Sequence, residues 1–134
     1  MGTISAYMVP HPPLIVPEIG RGEEKKIRNT IDAYDEVAER IGRLKPDTIV
    51  LISPHQTMYA DYFHISPGAG AAGDFGPFGA GQVRLEAAYD TEFVSLLCQY
   101  AFGEKLSAGT AGEKDRRLDH GTMVPLYFVN RYWT

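Results

Sequence analysis

The sequence predicts an α/β domain, and three observations point there. Thr48-Ile49-Val50-Leu51-Ile52 is a continuous β-branched and aliphatic run, the pattern of a parallel strand covered on both faces. A segment with apolar residues three and four apart lies before it. A further apolar run, Thr3 to Val9, lies before that segment. Strand, helix, strand makes a βαβ unit, whose crossover is right-handed in nearly all proteins. The expected architecture is a mostly parallel or mixed central sheet flanked by helices, with residues 1–134 forming a single domain.

Each element has a local reason. Thr3 to Val9 reads as the first strand, closed by Pro10-His11-Pro12-Pro13, because proline fixes φ and removes a donor. Within Glu18 to Leu44, the residues Ile27, Ile31, Tyr34, Ala38 and Ile41 build one apolar stripe. Glu23 and Glu24 suit the positive end of the helix dipole, and Lys45-Pro46-Asp47 stops the helix. Thr48 to Ile52 is expected as a buried central strand. Tyr59 to Ile65 and Val83 to Ala88 read as shorter strands, and Ser66 to Gly81, dense in glycine, as a long loop. Asp90 is placed to cap a helix over Thr91 to Phe102, with Phe93, Val94, Leu96, Leu97 and Tyr100 facing inward. A final helix is expected from Gly121 towards Trp133. Its run from Val124 to Trp133 is so apolar that it calls for a covering surface, from a second copy or from further chain.

Composition narrows the function. Hydrophobic residues make up 44% and charged residues 22% of the 134 positions, ordinary values for a globular domain. Lys+Arg 13 against Asp+Glu 17 gives a net charge of −4, with no basic stripe, which argues against nucleic acid or anionic membrane as partner. Cys98 is the one cysteine, so an internal disulfide and a thiolate cluster are excluded. No apolar run approaches the ~20 residues of a membrane span, and no secretory signal is visible. A cytoplasmic protein is the expectation.

Three histidines carry the chemistry. His11 ends the first apolar run and His55 follows Ser53-Pro54 at the end of the second. Strand ends at the carboxyl rim of a parallel sheet are where α/β proteins bind ligands. Two imidazoles delivered there make half of a metal site; two histidines that cap backbone groups in turns are the competing reading. His120 stands in Leu118-Asp119-His120-Gly121, where Asp119 can cap the next helix and leave His120 at its N-terminus as a proton donor or acceptor. A turn with an exposed histidine is the alternative. Gly68-Ala69-Gly70-Ala71-Ala72-Gly73 spells G-x-G-x-x-G, but Asp74-Phe75-Gly76-Pro77 follows and cannot open a helix, so the nucleotide reading is rejected. Phe75 and Phe78 are placed instead on a loop beside the site, as stacking or lid groups. His64 and Cys98 read as structural.

Taken in order, Pro10-His11-Pro12-Pro13, Ser53-Pro54-His55, Gly73-Asp74-Phe75-Gly76 and Leu118-Asp119-His120-Gly121 with Val124-Pro125-Leu126 resemble the catalytic B-subunit family of class III extradiol ring-cleavage dioxygenases, the LigB-like family. The wording is most similar to the branch associated with the AmmeMemoRadiSam system and related to Memo proteins. The resemblance spans essentially the whole chain. It implies a LigB-like, phosphorylase/hydrolase-like sheet, incomplete here because the family's catalytic domains are longer. It implies that His11 and His55 bind a non-haem Fe(II), that a carboxylate from later in the chain completes the facial triad, and that His120 is the acid/base group. Catechol-like molecules and dioxygen would be the substrates. Asp61, Glu86 and Asp119 are carboxylates within reach in principle, but none stands in a context matching the third ligand. Two further readings follow: a non-catalytic Memo-like scaffold that binds protein or peptide partners in the same cleft, and a zinc hydrolase, since two histidines with an open position also suit Zn²⁺.

Overall fold

The structure, a computed structural model, describes Gly2 and residues 5–133. Helices and small parallel and antiparallel sheets combine in a mixed α/β arrangement. Thr3 and Ile4, the start of the expected first strand, lie outside the described residues.

The long helix expected over Glu18 to Leu44 is divided. Helix α1 spans Pro17–Gly20, a 3-10 turn spans Glu23–Ile27, and α2 spans Arg28–Leu44. The break falls at Arg21 and Gly22, both left-handed, with φ of 49° and 103°. Glycine takes such φ without penalty. The Glu24 carboxylate folds back to accept from the Gly22 N–H at 2.7 Å. Beyond the break the stripe behaves as its period predicts: Tyr34 and Ala38 are buried, with Ile31 and Ile41 packed beside them. The outer face carries Arg28–Asp32, Glu36–Arg40 and Glu39–Arg43 pairs one turn apart.

The two runs expected as parallel central strands form no ladder among the described residues. In Thr48 to Ile52, Ile49 reaches the core while Val50 and Ile52 face solvent. The burial alternates, which corrects the expectation of a strand covered on both faces. The ladders lie elsewhere. Strand β1 (Phe63–His64) pairs in parallel with β4 (Ala108–Gly109). Strand β2 (Gly70–Phe75) pairs antiparallel with β3 (Ala80–Ala88), in register Gly73↔Leu85 and Asp74↔Arg84, with a bulge between Asp74 and Phe75.

Strand β2 runs through the segment read as loop. Glycine weakens an isolated strand, but here it permits close packing. A Cβ on Gly73 would stand 2.6 Å from the Leu118 carbonyl oxygen and 3.0 Å from the Met123 sulfur. Small residues thus let β2 slide beneath the start of α4 (His120–Val129). The G-x-G-x-x-G string opens no helix, as expected.

Helix α3 (Thr91–Gly103) begins where predicted, with the Asp90 carboxylate accepting from the Phe93 N–H at 2.9 Å. Its expected inward face is not inward. Phe93, Leu96, Leu97 and Tyr100 are exposed, Val94 and Cys98 are half-buried, and Ala101 alone is buried. Helix α4 shows the reverse: its apolar residues are covered by the chain itself. Met123, Val124, Phe128 and Val129 join Ile15, Val16, Tyr34, Phe75 and Ala80 in the core. Tyr34 and Phe128 stack with ring centroids 4.2 Å apart, and this contact joins α2 to α4.

Candidate metal centre

Three segments of the chain bring three imidazoles together. His11 sits in the Pro10-to-Pro13 turn, whose position is set by Tyr34: the phenol on α2 donates to the Pro10 carbonyl at 2.5 Å. Burial pushes the Tyr34 phenol far above its ordinary pKa, so it remains a donor throughout the physiological range. His55 follows Ser53-Pro54. His120 is the first residue of α4, whose cap is Asp119: its carboxylate accepts from the Thr122 N–H at 3.2 Å and the Thr122 hydroxyl at 3.0 Å.

The rings form one cluster. His11 Nε2 and His55 Nε2 are 2.7 Å apart. Ring centroids are 4.7 Å apart for His11–His55, 4.0 Å for His55–His120 and 5.8 Å for His11–His120. One donor nitrogen from each lies within 4.8 Å of the others. Among the described residues this is the one group of three or more such ligands, and it contains no carboxylate. Asp61 is exposed in a left-handed turn. Glu86 pairs with Arg84 on β3, and Asp119 is engaged by Ser53 and Thr122. His64 is also separate: it stacks on Tyr59, 4.6 Å between centroids, beside Glu113.

The donor set fits a divalent ion. Two nitrogens each about 2.1 Å from one ion and at right angles to it lie about 3 Å apart, close to the observed Nε2–Nε2 separation. The same separation allows one N–H···N hydrogen bond between the two rings, which requires at least one neutral ring. His120 is held below its ordinary pKa by partial burial and by the neighbouring His55 and His11, against the pull of Asp119. It is therefore neutral, a proton acceptor, at pH 7. Asp119 loses solvation, which raises its pKa, but hydrogen bonds from Ser53, Thr122 and Gln56 prevail and hold the carboxylate below its usual range.

The β2–β3 hairpin supplies one wall. A 3-10 turn over Gly76–Phe78 carries the chain past the cluster, and the Phe78 ring meets His120 edge-on at 5.2 Å. Phe78 is thus the aromatic group at the rim. Phe75, expected beside it, is fully buried and serves the core. Sequence reasoning did not anticipate Ser53 and Tyr34 as supports of the site; the hydroxyl of Ser53, two residues before His55, was the available signal.

Residues 5–134 match the family described as the catalytic LigB subunit of aromatic ring-opening dioxygenase. The chain belongs to the LigB family. A relative in Clostridium acetobutylicum, Protein CA_C1420, is 40% identical over 134 residues, covering 95% of this chain and 29% of its own length. The chain therefore spans under a third of that relative's length. No helix among the described residues is long and apolar enough to cross a membrane.

Proposed function

We propose that this LigB-family chain carries the histidine part of a non-haem Fe(II) centre for extradiol cleavage of catechol-like substrates. The observation behind the reading is the convergence of His11 and His55, Nε2 to Nε2 at 2.7 Å, with His120 beside them. His11 and His55 would hold the ion, and the resemblance assigns the remaining protein ligand to a carboxylate later in the parent chain. When bound, a ferrous ion would supply the means to activate dioxygen and a catechol-like substrate. The protein's residues do the rest. His120, neutral at pH 7, takes the proton of a substrate hydroxyl and can return it as the ring opens. Phe78 offers an edge-on aromatic wall to a planar ring. The buried packing of Phe75 and Leu118 beneath keeps the hairpin and the start of α4 in place.

The test compares metal content and catechol-dependent oxygen uptake in the wild-type protein purified without air, His11→Ala, His55→Ala and His120→Ala. The first two substitutions should abolish iron retention. His120→Ala should retain iron and lose oxygen uptake by 10²-fold or more, about the range of a general acid/base. Iron content indifferent to His11→Ala and His55→Ala would refute the ligand assignment. Zinc recovered in place of iron would favour a hydrolase.

A second reading, a Memo-like scaffold that binds a protein or peptide partner, is favoured by the exposed apolar face of α3 and by a cluster that holds no carboxylate among the described residues. Iron-loaded protein inert towards every catechol tested would favour it.

A further inference from the structure

His55 and His120 come from segments 65 positions apart, yet their rings stand 4.0 Å apart. Hydrogen bonds join the two segments here: the Gln56 amide donates to the Arg117 carbonyl at 2.8 Å, and a second bridge lies closer to the two rings. The Ser53 hydroxyl donates to the Asp119 carboxylate, at Oδ1. The same Ser53 oxygen accepts from the His55 backbone N–H at 3.3 Å. The same Asp119 oxygen accepts from the Thr122 N–H at 3.2 Å, which sets the first turn of α4 and with it His120. Ser53 therefore addresses one histidine and Asp119 the other.

The packing leaves this bridge no slack. A Cβ on Gly121 would collide with the Ser53 hydroxyl, lie 2.9 Å from Asp119 Oδ1 and 3.1 Å from the His55 ring carbon Cδ2. Glycine at the second position of α4 is what allows the two segments to approach closely enough to bond. Asp119 also bonds the Thr122 hydroxyl through its other oxygen, at 3.0 Å, so both carboxylate oxygens are committed and its orientation is fixed.

We propose that Ser53 and Asp119 are a coupled pair of positioning residues that sets the spacing of His55 and His120 before any ion arrives. This deepens the metal-centre reading, on which its consequence for ion affinity rests; the spacing itself does not depend on it. A serine hydroxyl suits the role because it donates and accepts at once. A carboxylate suits the other end because it accepts from both Ser53 and the helix terminus.

Two measurements test the pair. In the metal-free protein, nuclear Overhauser contacts between the His55 and His120 ring protons should be present. They should be lost in Ser53→Ala and in Asp119→Ala, and kept in Asp119→Asn, whose amide oxygen still accepts from Ser53 and Thr122. In Co(II) titrations, Ser53→Ala and Asp119→Ala should each weaken binding about tenfold, the lower end for partners that orient ligands. The double substitution should be no weaker than either single one, as for residues acting as a unit. Ser53→Ala leaves the helix cap intact, so it decides the matter where Asp119→Ala fails to fold. Ring contacts that persist in Ser53→Ala, or additive losses of affinity, would overturn the proposal. Wild-type protein that takes up no Co(II), but whose ring contacts respond as described, would remove the metal reading and support the bridge.

Discussion

At the scale of single residues, the protein's chemistry depends on which imidazoles are neutral. Partial burial and two histidine neighbours hold His120 below its ordinary pKa. An unfolded chain would bind a proton there near pH 6.5, the ordinary histidine value. The folded protein resists that proton, so the unfolded state binds more of them and stability must fall as pH falls. We expect the metal-free protein to lose stability as pH drops through about 6.5, with His120→Gln flattening that dependence in denaturant titrations at pH 8 and pH 5. A slope unchanged by the substitution would show that His120 does not carry it. The identity of the three histidines was legible because each stands beside a proline, a glycine or a cap that fixes its backbone. Their mutual distance was not, because nothing local to residues 11, 55 or 120 encodes it.

Elements show the same division. Helix α2 was readable from its stripe, since 3.6-residue periodicity is a property of the segment alone. Its N-terminal break was not, because it turns on the Glu24 carboxylate folding back onto Gly22. Strand β2 was missed for a related reason: Gly70 to Phe75 has no strand propensity and becomes a strand only when β3 supplies its partner. Tyr34 connects element to site, since its hydroxyl bonds the Pro10 carbonyl next to His11 while its ring stacks on Phe128. Tyr34→Phe keeps the stack and removes the bond. It should cost about 1 kcal/mol of unfolding free energy and weaken Co(II) binding, because the His11 turn loses its anchor. An unchanged Co(II) affinity would mean that the proline-rich turn holds His11 unaided.

Over the whole molecule, the apolar surface is unevenly covered. The C-terminal run from Val124 packs into the core, while Met8, Ile52, Met58 and Phe102 are 101%, 91%, 91% and 86% exposed. On α3, Tyr100 and Leu96 are also exposed, at 74% and 47%. We propose that a second copy of the chain covers the apolar face of α3. Sedimentation of this 134-residue chain at tens of micromolar should show reversible self-association that weakens in a Tyr100→Ser, Phe102→Ser double variant. A monomer at all concentrations would exclude self-pairing through α3.

By itself the sequence determined the α/β class, the α2 stripe, both aspartate caps and the three histidines, all properties that a few neighbouring residues settle through backbone preference and periodicity. The tertiary structure alone decided which runs form ladders, that α3 is bare and α4 buried, that Phe78 and not Phe75 meets the site, and that Ser53 and Asp119 bridge His55 to His120. Those outcomes depend on contacts beyond each residue's immediate neighbours, as across the 66 positions between Ser53 and Asp119, and their energy is realised only when the chain closes on itself.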